Sequence, residues 1–213
     1  MMAEDEPLLQ MKDIRKSFGG APALAGASFQ LRRAEAHAIM GINGSGKSTL
    51  MKMLGGAYIP DGGEVHRGGE RRRFSSPREA EAAGVSIVYQ EFRLLPELSV
   101  AENVFTGHFP YRNRALGVID RKTVNEGTRA IFRRIGMDID PGAIVGDLSV
   151  GHKQMVEIAK ALSIDNLKIL VLDEPTSALT DEETERLFEV MTGLKESVLG
   201  LVYITHKLQE LQG

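Results

Sequence analysis

The chain has 213 residues, 42% of them hydrophobic and 26% charged, the balance of a globular protein with room for one sizeable domain or two small ones. Its formal net charge of −3 supplies no global basic field to hold nucleic acid. Cysteine is absent, which excludes disulfides and thiolate metal sites and suits a reducing compartment.

The opening Met1-Met2-Ala3-Glu4-Asp5-Glu6-Pro7 is acidic and lacks the apolar run of a signal peptide. No stretch reaches the about 18 apolar residues that span a bilayer, so any membrane role must run through a partner. Residues 8–14 and 24–31 read as strands, with the turn-rich Gly19-Gly20-Ala21-Pro22 near their connection. Ala36-His37-Ala38-Ile39-Met40 reads as a short buried strand, and residues 48–54 as a helix. Between them, Gly41-Ile42-Asn43-Gly44-Ser45-Gly46-Lys47-Ser48-Thr49 fits the phosphate-loop pattern G-x-x-x-x-G-K-[ST]. Its glycines let the backbone curl so that N–H groups point inward at a phosphate chain, and the following helix adds a positive dipole end. Lys47 reaches the β- and γ-phosphates, and Ser48 holds Mg²⁺. Phe18, ahead of this loop, either stacks on adenine or packs beneath a turn.

Gly62-Gly63 and Gly68-Gly69 bracket another short strand, residues 64–67, so a small antiparallel sheet is expected beside the loop. Arg71-Arg72-Arg73 reads as a solvated hairpin or loop face, because no aromatic residues interleave it. Residues 85–89 form a β-branched core strand closed by Gln90. The amide of Gln90 either touches Mg²⁺ or the attacking water, or simply caps the strand end. Ser99 and Glu102 make a capping box that starts a helix at Val100. Val124, Thr128, Ile131, Phe132 and Ile135 recur at helical spacing, with Gly136 as the stop. Leu148-Ser149-Val150-Gly151-His152 opens a helix over residues 150–162, with Met155, Ile158, Ala159 and Leu162 inward. Ser149 as N-cap and Gly151 as exposed backbone make an anion site there, which makes sense if it faces the nucleotide of another copy.

Ile169-Leu170-Val171-Leu172 is a buried strand that delivers Asp173 and Glu174 at its C-terminal tip, where open α/β sheets bind ligands. Asp173 orients the Mg²⁺ shell, and Glu174 polarises a water as general base. A capping box at Thr180 and Glu183 opens a helix through Leu187, Val190, Met191 and Leu194. Residues 199–204 are the last strand, and His206 at its tip can donate to the γ-phosphate or to the water. His37, His66, His108 and His152 have no comparable placement. Strands alternating with helices imply a parallel α/β sheet, and the helix-rich stretch from about residue 96 to 160 reads as an inserted helical subdomain.

The ordered set of phosphate loop, Gln90, L-S-x-G element, acidic strand tip, Ser177-Ala178-Leu179-Thr180 and His206 resembles the ATP-binding cassette (ABC) ATPases over essentially the whole chain. Finer segments resemble the subfamily that energises bacterial monosaccharide importers of the ribose, galactose and xylose type. These are Tyr89-Gln90-Glu91, Leu98-Ser99-Val100-Ala101-Glu102-Asn103, Asp138-Ile139-Asp140-Pro141, the run from Val156 to Leu162, and Asp173 through Thr180.

The resemblance implies a P-loop NTPase (RecA-like) α/β core. Residues 1–95 and 161–213 would form that core with its antiparallel β-subdomain, and residues 96–160 the helical signature subdomain. It implies ATP and Mg²⁺ as ligands, a second cassette in trans or fused, a membrane permease, and indirectly a periplasmic sugar-binding protein. The implied location is peripheral, at the cytoplasmic face of the bacterial membrane. Under it, Glu174, His206, Lys47 and Gln90 are catalytic. Phe18, Gly41, Asn43, Gly44, Ser45, Gly46, Lys47, Ser48, Thr49, Ser149 and Gly151 bind nucleotide, and Ser48, Gln90 and Asp173 attend the metal. Two departures stand out. His152 replaces the usual Gln of the signature, and the chain stops seven residues after His206, so it looks like a first cassette cut short. A soluble cassette of translation or DNA repair, and a nucleotide-binding fragment without hydrolysis, are the rival readings. A GTPase is disfavoured because Asn-Lys-x-Asp is absent.

Overall fold

The computed structural model describes residues 6–42, 44–113, 115–195 and 200–206. In chain order its elements are β1 (Leu9–Phe18), β2 (Ala21–Leu31), β3 (Glu35–Met40), α1 (Lys47–Leu54), β4 (Gly62–Arg67), β5 (Glu70–Arg72), α2 (Pro77–Ala82) and β6 (Val85–Val88). There follow α3 (Val100–Val104), β7 (Tyr111–Asn113), β8 (Val118–Ile119), α4 (Arg121–Arg134), a 3₁₀ turn (Val145–Asp147) and α5 (Val150–Leu162). The order closes with β9 (Ile169–Asp173), α6 (Asp181–Lys195) and β10 (Gly200–Thr205). The chain forms two compact units. One comprises Met1–Ile87, Asn166–Glu174 and Lys195–Gly213, and the other Val88–Asp165 and Pro175–Leu194.

A four-stranded sheet has the order β3-β10-β9-β6, and in it β10 runs parallel to both β3 and β9 of the first unit. Every residue of β9 and β10 is buried, as expected of strands covered on both faces. β10 pairs with both neighbours in one register, Gly200 opposite Glu35 and Ile169, Ile204 opposite Ile39 and Asp173. The C-terminal ends of β3, β9 and β10 therefore finish side by side. A four-stranded antiparallel sheet, β2-β1-β4-β5, belongs to the same unit. Leu9, Met11, Ile14, Leu31 and Val65 from that sheet, Met51 and Leu54 from α1, and Ile169, Val171 and Ile204 share one apolar cluster.

β1 runs on to Phe18, beyond the expected residues 8–14. Its backbone keeps pairing with β2 as far as Phe18 opposite Ala21. Its side chains past Ile14 are no longer buried, so alternation stops while the ladder continues. Arg71 and Arg72 lie on the exposed β5, paired to β4, as the solvated-hairpin reading expects.

The second unit is mainly helical. The capping box at Ser99 forms as expected, but α3 is only five residues long. Asn103 on α3 is fully buried, and its side chain accepts from Leu95 N–H (2.7 Å) and donates to the Leu95 and Ser99 carbonyls (2.9 and 3.0 Å). Those bonds fix an irregular segment whose backbone has few ladder partners. α4 buries Val124, Thr128 and Phe132, and Gly136 follows it in a left-handed conformation. α5 spans the expected residues and buries Met155, Ile158, Ala159 and Leu162. No helix among the described residues is long and apolar enough to cross a membrane.

Candidate functional site

In the first unit, the loop from Gly41 to Gly46 joins β3 to α1. Ser45 N–H closes a turn on the Ile42 carbonyl at 3.2 Å. Gly46 sits at φ 91°, and a Cβ there would stand 2.8 Å from the Ala23 carbonyl oxygen and 2.7 Å from Leu24. Only glycine lets the loop close so tightly over β2. No side chain caps the start of α1, so its first-turn N–H groups and positive dipole end are available to an anion. Lys47 is buried, and its ammonium donates to the Gly41 and Ile42 carbonyls at 2.6 and 3.1 Å. The cation is thus folded onto the loop it would help to charge. Thr49, half-buried, stands in the first turn of α1. Asn43 lies outside the described residues.

The Ser48 hydroxyl donates to Asp173 Oδ1 at 3.2 Å across 125 residues of sequence. Asp173 is 6% exposed. Burial pushes its carboxyl above the ordinary value, and the Glu174 charge adds to that. The Ser48 hydrogen bond and the Lys52 and Lys47 charges oppose it. A hydroxyl beside a buried carboxylate suits Mg²⁺, which takes one or two protein oxygens and leaves the rest to phosphate and water. Among the described residues no group of three or more His, Cys, Asp or Glu side chains is placed to hold a metal ion.

Glu174 follows β9 with φ 48°, in the left-handed region uncommon for a side-chain-bearing residue. Its N–H donates to the Ile204 carbonyl at 3.1 Å. Its carboxylate meets Nδ1 of His206, at the tip of β10, at 3.3 Å. Phe18 is 44% exposed, and so is not packed beneath a turn. It meets Tyr58 edge-on, with ring centroids 5.1 Å apart, and Lys16 lies 5.7 Å from its ring. The first unit thus gathers Phe18, Gly41, Gly44, Ser45, Gly46, Lys47, Ser48, Thr49, Asp173, Glu174 and His206.

The second unit holds Gln90, Ser149 and Gly151. Gln90 follows β6 and is exposed. Beside it, the Arg93 guanidinium stacks 3.6 Å over the Tyr89 ring. The Arg93 peptide is held at both ends by α5. Its N–H donates to the Glu157 carboxylate, and its carbonyl accepts from the Lys160 ammonium at 3.2 Å. Burial pushes the Glu157 carboxyl up, against the Arg93 hydrogen bond and the Lys160 and Arg93 charges. Ser149 is the N-cap of α5, its Oγ accepting from His152 N–H at 3.2 Å. Gly151 N–H donates to Glu183 Oε1 at 3.1 Å. The other carboxylate oxygen accepts from Thr180 N–H at 3.1 Å, and Glu183 N–H returns a 3.2 Å bond to Thr180 Oγ1.

Tyr58, Glu157 and Glu183 escape sequence reasoning as site residues. Glu183 shows only as the capping partner of Thr180. Its second contact depends on the starts of α5 and α6 meeting. Tyr58 follows α1 without any periodic pattern, and Glu157 sits at one position of an otherwise apolar helix face.

A glycine loop between a parallel strand and a helix, with a hydroxyl–carboxylate pair and acidic strand tip beside it, defines a P-loop NTPase of RecA-like α/β type. The sequence model of the ABC transporter family matches residues 24–177, and the chain belongs to that family. It is 48% identical over 210 residues to the ribose import ATP-binding protein RbsA 1 of Streptomyces avermitilis, covering 99% of this chain and 40% of that protein. It is 46% identical over 209 residues to a putative ribose/galactose/methyl galactoside import ATP-binding protein of Agrobacterium fabrum, covering 98% and 41%. The chain therefore spans about 40% of the length of these curated relatives. Its fold matches a nucleotide-free ATP-binding cassette of an ABC transporter with TM-score 0.84 at 27% identity, over 96% of this chain and 83% of that one. It matches an ATP-binding cassette in its ADP conformation with TM-score 0.84 at 28% identity, over the same shares.

Proposed function

We propose that this chain binds and hydrolyses ATP as a cassette of an ABC importer that energises monosaccharide uptake. The observation that carries the reading is the convergence in one compact unit of the Lys47 loop, the Ser48–Asp173 pair at 3.2 Å and the Glu174–His206 pair at 3.3 Å. The sugar assignment rests on 46–48% identity to proteins named for ribose and galactose import.

Lys47 exchanges the Gly41 and Ile42 carbonyls for phosphate oxygens, and the loop N–H groups take the rest of the chain's charge. Phe18, with Tyr58 at its edge, offers an aromatic face to adenine. Ser48 and Asp173 would hold Mg²⁺. Bound there, the ion neutralises charge on the phosphoryl oxygens. Glu174 accepts a proton from the water whose oxygen forms the new bond to the γ-phosphorus. The bond from that phosphorus to the bridging oxygen breaks, ADP keeps the electron pair, and the proton leaves Glu174 for solvent. His206 holds the carboxylate in place and donates toward the γ-phosphate or the water. The N-terminal turn of α5, through Ser149 and Gly151, serves the nucleotide bound by a second cassette.

Such a subunit works peripherally, at the cytoplasmic face of a bacterial membrane. Its partners are a second cassette, an integral membrane permease and, indirectly, a periplasmic sugar-binding protein. Steady-state phosphate release, alone and with a second cassette, tests the enzyme. Co-purification tests the setting. An integral membrane protein is the expected companion, and ribosomes or DNA would favour a soluble cassette protein instead.

A further inference from the structure

The amide that the proposed function reserves for a nucleotide already carries an anion, and that anion belongs to the chain. One Glu183 oxygen accepts from Gly151 N–H at 3.1 Å, and the other accepts from Thr180 N–H at 3.1 Å. A single carboxylate thus bridges the positive N-terminal turns of α5 and α6. The approach depends on glycine, since a Cβ at position 151 would lie 2.6 Å from the Glu183 carboxyl carbon.

A cavity of about 540 Å³ opens beside this contact, lined among others by Ser149, Gly151, His152, Glu183 and Arg186. Four glutamates line it against one arginine. That arginine is engaged, donating to the Gly136 carbonyl at 2.7 Å and to Glu189 at 2.9 Å. Among the described lining residues, free phosphate entering this space meets four carboxylates, one engaged arginine and the His152 imidazole. A γ-phosphate presented by a second copy arrives with Lys47 and Mg²⁺ and brings its own positive charge.

We infer that Glu183 is the resident occupant of the signature amide, displaced only by the γ-phosphate of ATP held on a second cassette. The inference rests on the two-cassette reading given above and deepens it. Glu183 is then a positioning residue that sets how much nucleotide is needed before two cassettes close. It keeps the anion site shut to stray phosphate and holds the N-terminal turn of α5 in place meanwhile.

The test is MgATP-driven self-association of the full chain, followed by sedimentation velocity in a Glu174→Gln background that blocks turnover. Glu183→Ala opens the amide and removes a charge, so half-association should need about tenfold less ATP. Glu183→Gln keeps an acceptor oxygen and the cap on α6 without the charge, and should fall between Glu183→Ala and the parent. A purely structural role moves the reading the other way, because losing the cap loosens both helix starts. Equal or higher ATP demand in both variants overturns the inference. A Glu174→Gln parent that binds ATP but never associates overturns the two-cassette reading itself, and the inference with it.

Discussion

Oε2 of Glu174 lies 3.3 Å from Nδ1 of His206, and the two residues cap neighbouring parallel strands in a fixed register. Ile204 stands opposite Asp173 in that pairing, and the N–H of Glu174 is tied to the Ile204 carbonyl at 3.1 Å. The proposed base is therefore held by main chain as well as by its imidazole partner. It is held in a left-handed conformation, φ 48°, which a side chain with a Cβ adopts at a cost. Strain kept at a strand tip is what a site under functional constraint shows.

Replacing Glu174 by Gln removes the proposed proton acceptor and keeps the shape. Hydrolysis should fall about 10²–10⁴-fold, while ATP affinity stays within about twofold because the loop and Lys47 are untouched. Phosphate release and equilibrium binding on one preparation separate the two. Glu174→Gly goes further. It relieves the left-handed strain and should raise unfolding free energy by about 1 kcal/mol with turnover equally lost. Thermal unfolding that shows no gain would mean the observed backbone carries no strain.

Gly46 and Gly44 make a matched pair for the loop. Both have positive φ, 91° and 82°. A Cβ at 46 meets the Ala23 carbonyl at 2.8 Å, while one at 44 meets nothing within 4 Å. Gly44→Ala should cost about 1 kcal/mol from conformation alone. Gly46→Ala adds a collision with backbone and should cost about 2–4 kcal/mol. Urea midpoints compared at constant m-value check the difference.

Glu157 gives a pH dependence with a definite sign. Burial raises its carboxyl pKa above the ordinary 4.5, so between those two values the folded chain keeps a proton that the unfolded chain has lost. That contribution to stability is complete below pH 4.5 and disappears as pH rises through the folded pKa. Glu157→Gln retains an oxygen for the Arg93 N–H and removes the titration. Its melting temperature relative to the parent should therefore be higher at pH 7 than at pH 4.5. A constant difference across that range would contradict a raised pKa at this position.

Much of this arrangement was legible because its signals are contiguous. Gly41 to Thr49 reads as one phosphate loop. Asp173 and Glu174 end an unbroken apolar strand. Ser99–Glu102 and Thr180–Glu183 announce two helix starts, and both capping boxes are present. The illegible parts lack burial. The hairpin of β7 and β8 exposes Tyr111, Arg112, Asn113 and Val118, so no alternation marks it. α2 buries only Ala80, although Ser76 caps it and Pro77 opens it, a start signal that needed no apolar face. The contacts of Glu157 with Arg93 and of Glu183 with Gly151 join residues 64 and 32 positions apart. No local pattern encodes such pairings, because they follow from tertiary packing.

We propose that the loop around Lys47 and the carboxylate of Asp173 together hold Mg²⁺ and a nucleoside triphosphate. Equilibrium titration of ATP into the Glu174→Gln chain, with and without Mg²⁺, tests it most directly. Saturable one-to-one binding is expected, strengthening with Mg²⁺ and weakening at least about tenfold in Lys47→Ala and in Asp173→Asn. Binding that ignores Mg²⁺ and survives both substitutions unchanged would contradict it.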